Sequence, residues 1–235
     1  MEQTGPLIGV PPGLEYLTQI DQILIHQKME LLEVLCGFEN NNQYEIKNIM
    51  GQTIYKALEE TNCCVRNMCG SLRRFNLMIK DNMDQEVMHL VRPWRCTGCC
   101  FPCCLQELEV QAPPGTVVGY VVEDWHPILP KFSILGPSRE TVLKLDGPCL
   151  LFNCCGDVKF ELKGKDGQET VGQITKQWGG LLKEILTDTD NFGIQFPMDL
   201  DIRMKAVLVG ACFLIDFMYF EKAGDGDNVR SCLSS

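Results

Sequence analysis

One segment limits what this chain can fold into. Residues 206–220, Ala-Val-Leu-Val-Gly-Ala-Cys-Phe-Leu-Ile-Asp-Phe-Met-Tyr-Phe, form its most apolar stretch, with Arg203 and Lys205 before it and Glu221 and Lys222 after it. A helix that is apolar on every side must be buried, in lipid or inside protein. Fifteen residues rise roughly 22 Å, short of the ~30 Å hydrocarbon core of a bilayer. The eight Val, Leu, Ile and Phe residues favour insertion by roughly 2.4–4.8 kcal/mol, and Asp216 opposes it by about 3 kcal/mol. Insertion is therefore near break-even. A barrel around the same helix would bury the same surface and could offer Asp216 a partner, so a core helix carrying Ala206, Val207, Phe213, Asp216 and Phe220 is favoured over a spanning one.

The rest of the chain can supply such a barrel. From Ile23 onward, short alternating runs recur, separated by Gly, Asn, Asp or Pro. Five pairs read as hairpins: 43–48 with 53–58, 74–80 with 86–91, 106–111 with 116–123, 131–135 with 140–145, and 158–163 with 170–175. Adding 23–27 and 31–36 gives about twelve strands. That many short strands favour a sandwich or a closed barrel, and closure removes the edges that would otherwise aggregate. Trp178 to Leu186 reads as a short helix. The organisation expected is a disordered leader over 1–13, one domain over 14–222 and a flexible tail over 223–235.

Charge and cysteine are the compositional anomalies of this 235-residue chain, with a net charge of −10 and 14 cysteines. The charge disfavours nucleic acid and anionic headgroups as partners unless a local patch or a bridging cation intervenes. The N-terminus has neither a basic region nor an apolar run of signal-peptide length, which places the chain in the cytosol, and Glu2 excludes N-myristoylation. In a reduced compartment so many thiols point to metal binding or lipidation rather than disulfides. Cys232-Leu233-Ser234-Ser235 matches a prenylation box only formally, because Ser234 stands at a normally aliphatic position.

Five thiols cluster in Cys96-Thr97-Gly98-Cys99-Cys100-Phe101-Pro102-Cys103-Cys104. Adjacent cysteines beside Arg92, Trp94, Arg95 and Phe101 suit S-palmitoylation, and two or more acyl chains anchor stably where one does not. A zinc site drawing its second pair from Cys63, Cys64, Cys69, Cys154 or Cys155, and a ligand-free loop, stay open beside it.

In the acidic stretch 188–199 carboxylates stand at relative positions 1, 3 and 12 (Asp188, Asp190, Asp199), with Gly193 at position 6. That is part of the pattern of a calcium-binding EF-hand loop. Phe192 and Phe196 could offer only backbone carbonyls, and Asp199 replaces the longer Glu, so any calcium site here would be weak. A polar connector between two helices is the alternative. No nucleophile elbow, phosphate-cradling loop or His-Glu metal helix is present, and His26, His89 and His126 share no spacing. A side-chain enzyme is disfavoured.

Several of these segments together resemble the phospholipid scramblase family: Pro12 to Leu17, Tyr44 to Asn48, Cys99 to Cys104, Gln106 to Gly115, Asp190 to Pro197, and Lys205 to Glu221. The resemblance spans nearly all of 12–222. It implies a tubby-like fold, a twelve-stranded closed antiparallel barrel around a hydrophobic C-terminal helix. It implies ATP-independent, calcium-activated, bidirectional movement of phospholipids between leaflets, with membrane phospholipids as partners and a second copy of the chain open as another. Calcium would sit on Asp188, Asp190, Phe192, Ile194, Phe196 and Asp199, and palmitate on Cys99, Cys100, Cys103 and Cys104. The segment matching 206–220 would span the membrane, against the length argument above. The expected location is the plasma membrane, single-pass or palmitate-anchored, with the barrel in the cytosol. Two departures stand out. The leader is too short for the proline-rich SH3- and WW-binding region of relatives, and the nuclear-import segment is matched by Gly172 to Trp178 with Lys176 as its only charge.

Overall fold

A computed structural model describes residues 9–28, 43–60, 74–95, 104–149, 158–177 and 191–220. A short 3-10 helix, Glu15–Gln19, precedes twelve strands: β1 (Gln22–Lys28), β2 (Gln43–Lys47), β3 (Thr53–Glu59), β4 (Phe75–Lys80), β5 (Glu86–Arg92), β6 (Glu107–Gln111), β7 (Val117–Asp124), β8 (Lys131–Leu135), β9 (Thr141–Asp146), β10 (Val158–Gly164), β11 (Thr170–Gln177) and β12 (Asn191–Gln195). The helix α1 (Ile202–Ile215) follows and ends in a wider turn, Asp216–Phe220. Each strand pairs antiparallel with its chain neighbour, and β12 returns to pair with β1, closing the barrel.

Period-two alternation builds the wall. Tyr44 and Ile46 on β2, Phe75, Leu77 and Ile79 on β4, Leu108 and Val110 on β6, and Phe160 and Leu162 on β10 point into the lumen and are buried, while the residues between them are more exposed. Polar turns reverse the chain between strands. Gly115 and Gly167 hold positive φ in two of them, a region closed to most side chains by Cβ sterics.

All-antiparallel order gives the barrel two distinct ends. The β2–β3, β4–β5, β6–β7, β8–β9 and β10–β11 turns gather at one end, together with the 3-10 helix and the start of α1; this is called the hairpin end below. The β5–β6 and β7–β8 connections and the residues after Ile215 lie at the far end.

The lumen is filled by α1. Every residue from Met204 to Ile215 is buried, Ala206, Val207 and Phe213 among them, and the burial continues through Asp216, with Phe220 half-buried at the far end. Leu108 and Val110 on β6 come so close to Gly210 that an added Cβ would lie 2.8 Å from the Val110 methyl.

Three expectations are corrected here. The segment 206–220 fills the barrel, as its length favours and against the spanning segment that the resemblance implies; among the described residues no helix is long and apolar enough to cross a membrane. Arg203 and Lys205 are not flanks, because the helix begins at Ile202 and includes both. Segment 191–195, read as loop, is a barrel strand, which changes the membership of the twelve. The expected strand at 31–36 and the helix at 178–186 lie outside the described residues, as does the tail. The last residues of the expected leader rest on the barrel, where Val10 packs against the core and the Gly13 carbonyl accepts a hydrogen bond from Tyr55.

Close approach of helix and wall yields a prediction. Gly210→Val should destabilise the fold by about 1–3 kcal/mol through overpacking, read as a lowered urea midpoint.

Candidate functional site

The entry of α1 is fixed by two polar side chains. Asp201 caps the helix, its carboxylate accepting from the Arg203 N–H at 2.8 Å. One turn on, Lys205 is completely buried. Its ammonium donates to the carbonyls of Leu17 (3.0 Å), Ile20 (2.9 Å) and Met198 (2.8 Å), and lies 5.0 Å from the centre of the Phe196 ring. Three donors meet three acceptors, so the N-terminal 3-10 helix, the approach from β12 and the helix are tied at one atom. Burial lowers the Lys205 pKa, an effect that the charges of Asp21 and Asp199 oppose.

A second charge closes the other end. Asp216 lies 3.6 Å from the Lys176 ammonium on β11 and accepts a 3.4 Å hydrogen bond from Tyr44 on β2. Lys176 is buried between aromatic faces, 4.2 Å from Phe220 and 5.0 Å from Phe192. Phe217 stacks on Phe75, and Tyr219 meets Phe132 and Phe160, so the turn after α1 is held by rings from β4, β8 and β10. Between these ends Cys212 is buried in the helix, and burial pushes its thiol well above the ordinary value, making it a packing residue rather than a nucleophile.

The candidate calcium segment takes a conformation different from a metal loop. Residues 191–195 pair with β1 on one side and β11 on the other, which directs backbone carbonyls into sheet ladders. Phe192, Ile194 and Phe196 turn their side chains into the core. The rise of a strand sets Asn191 and Gln195 roughly 13 Å apart, and exposed Asp199 lies beyond Gln195 at the hairpin end, near Lys205. A calcium ion accepts ligands at about 2.3–2.6 Å, so positions 5, 7, 9 and 12 of this segment do not fit around one ion while β12 stays in the barrel. Asp188 and Asp190 lie outside the described residues. Among the described residues no three His, Cys, Asp or Glu side chains come together as a metal site.

Of the cysteine run, Cys99, Cys100 and Cys103 lie outside the described residues, and Cys104 is half-buried at the far end. The strand ends that frame the run are firmly held. Arg92, buried on β5, donates from Nε (3.2 Å) and Nη2 (2.7 Å) to the side-chain Oε1 of Gln106, whose Nε2 donates to the Cys104 backbone carbonyl. Arg95 donates to the Leu105 carbonyl and pairs with Glu107 at 2.6 Å; Glu107 also pairs with Arg139, which covers the Tyr120 ring. The histidines have structural surroundings: His26 is on β1, His89 contacts Glu86 at 2.6 Å, and His126 accepts from two backbone N–H groups of its own loop.

The sequence reading missed Lys205 and Lys176 as the charges that fix the helix. Lys205 looked like a flank because apolar residues begin after it, and Lys176 carried no local signal of its distant partner. The demand of Asp216 for a partner was the only available clue. The buried pair generates a prediction. Asp216→Asn leaves the Lys176 charge buried without its carboxylate and should cost about 3–5 kcal/mol; Asp216→Asn with Lys176→Met should recover much of that loss. Lys205→Met strands three carbonyls and should cost at least about 3 kcal/mol. Urea unfolding followed by circular dichroism measures all three.

Comparison with known sequences completes the picture. A sequence model of the family described as Scramblase matches residues 1–222. Phospholipid scramblase 1 of Homo sapiens is 64% identical over 224 residues, covering 95% of this chain and 70% of that protein. Phospholipid scramblase 2 of Bos taurus is 64% identical over 216 residues, 92% of this chain and 74% of that protein, and phospholipid scramblase 4 of Homo sapiens is 47% identical over 220 residues, 93% and 67% respectively. With a match over nearly its whole length and relatives at this identity, the chain belongs to the scramblase family.

Proposed function

We propose that this protein moves phospholipids in both directions between the leaflets of a membrane, without ATP and without covalent chemistry, in response to calcium. It works at the cytosolic face of the plasma membrane, anchored by palmitate on Cys99, Cys100, Cys103 and Cys104. The observation that carries this reading is the family match over residues 1–222, with relatives named phospholipid scramblases at 64% identity. Calcium stands here as a requirement of the activity. Because Phe192, Ile194, Phe196 and Asp199 do not fit one loop site, no step is assigned to the ion.

The filled lumen shapes the route. An α-helix with side chains is about 10–12 Å across, and α1 occupies the barrel with every side chain from Met204 to Ile215 buried. Lipid therefore passes around the protein, at the boundary between its surface and the bilayer. The buried helix also favours a second reading, a palmitoylated adaptor that binds headgroups or proteins and moves no lipid.

Flux separates the two. Purified protein in liposomes should move fluorescent phospholipid between leaflets when calcium is added and ATP is absent, and should not do so in chelator. Binding without flux would select the adaptor. During flux, a maleimide reagent followed by mass spectrometry should leave Cys212 unlabelled, since the helix stays in the barrel; labelling of Cys212 would reject the route around a filled barrel. Replacing Cys99, Cys100, Cys103 and Cys104 together by Ser should shift the protein from the membrane to the soluble fraction of cells.

A further inference from the structure

We propose that the far end of the barrel is the membrane-contacting face, and that Trp94, Trp125 and Ile128 enter the headgroup layer of the cytosolic leaflet. This rests on the reading that the protein works at a lipid surface; it adds which surface and which residues.

Exposure of large apolar side chains at this end is the first observation. Trp94 is 63% exposed, Trp125 60% and Ile128 58%. Trp94 follows β5 and Trp125 follows β7, strands separated only by β6, so the two bases lie roughly 10 Å apart on one rim. The chain beside each tryptophan is held by hydrogen bonds. Arg95, next to Trp94, is bonded to the Leu105 carbonyl and Glu107. In the β7–β8 loop, Trp-His-Pro-Ile-Leu-Pro, the His126 Nδ1 accepts from the N–H groups of Ile128 (3.2 Å) and Leu129 (2.9 Å), which holds Ile128 outward. The half-buried Tyr219 and Phe220 lie at the same end. Tryptophan is the side chain most at home where hydrocarbon meets headgroups.

Charge is the second observation. Apolar side chains are also exposed at the hairpin end, Ile49, Met50 and Met83 among them. There, however, the turns carry Asp81, Asp84, Glu140, Asp166, Glu169 and Asp201, with Asp21 and Asp199 beside the helix entry, against Arg139, Lys165 and Arg203. An anionic leaflet repels that end. The described connections of the far end carry Glu60 against Arg74 and Arg95; the loop 125–130 has no carboxylate, and Asp124 just before it accepts a hydrogen bond from Ser133. By sequence, the remaining connections between strands at this end add Glu30, Glu33, Glu39, Asp157, Glu184, Asp188 and Asp190 against Arg66, Arg73 and Lys183, so the excess of acid is smaller here than in the hairpin turns. A negative surface potential therefore repels the tryptophan rim less than the hairpin end and favours the orientation with the rim inward.

Third is the course of the chain. The cysteine run leaves β5 after Arg95 and rejoins the described residues at Cys104 before β6, both at the far end. The run is thus tethered on both sides, at Arg95 and Cys104, to the rim that the tryptophans occupy.

The test is binding, measured apart from flux. The full-length protein, treated with hydroxylamine to remove thioester-linked acyl chains, is sedimented with vesicles of mixed phosphatidylcholine and phosphatidylserine. Trp94→Ser with Trp125→Ser should weaken binding about tenfold or more, because binding follows buried apolar area, whereas Met50→Ser with Met83→Ser should leave it unchanged. In a Trp178→Phe protein, vesicles of brominated phosphatidylcholine and phosphatidylserine should quench the remaining tryptophan fluorescence. Binding of the rim variant equal to the parent, loss of binding in the hairpin-end variant instead, absence of quenching, or a deacylated parent that does not bind would each overturn the inference. A protein that binds through its rim and moves no lipid fails the scrambling proposal alone; one that scrambles unimpaired without both tryptophans fails this inference alone.

Discussion

Mutual burial of helix and barrel is the constraint on which everything else depends. A helix that is apolar all round has no stable place in water, and twelve strands closed on themselves enclose a lumen too wide for wall side chains alone to fill. Each solves the other's problem. Because apolar packing is non-directional, it does not set how deep the helix sits. Two buried charges do. Lys205 fastens its entry to three carbonyls, and Asp216 fastens its exit to Lys176 and Tyr44. Their positions eleven residues apart on the helix match the depth of the barrel, so a shift by one turn would strand both.

Much of this architecture was legible in the residues. Period-two alternation located eleven of the twelve strands, because the inner faces of β2, β4, β6 and β10 present one large apolar residue at every second position. The hydrocarbon-thickness argument placed the C-terminal helix in protein against the spanning segment implied by resemblance. The twelfth strand was hidden by its neighbours. Phe192, Ile194 and Phe196 alternate like any strand, yet Asp188, Asp190, Asn191, Gly193, Pro197 and Asp199 around them carry loop composition, and local composition prevailed in the reading. Tertiary pairing with β1 and β11 prevailed in the fold.

The site was less legible because its parts are distant in sequence. Tyr44 and Asp216 are 172 residues apart, Lys205 and Leu17 188, and no local pattern joins them. The two ends of the barrel are likewise a property of topology. Only once the antiparallel order is known do Trp94 and Trp125, 31 residues apart, fall on one rim of the barrel, away from the carboxylate-rich hairpin turns.

The seam between β1 and β12 has a consequence for how the chain is made. It joins the first strand to the last, and the helix that fills the lumen follows immediately after the last strand. A nascent chain emerging from the ribosome thus accumulates eleven strands with two open edges around an empty interior. The final thirty described residues then close the wall and supply the helix at its centre together. Long-range closure of this kind is intrinsically slow and leaves unpaired edges exposed meanwhile. Folding competence is therefore concentrated at the C-terminus, and a ribosome that stalls shortly before β12 releases a protein with most of its sequence but without the helix that its inner wall packs against.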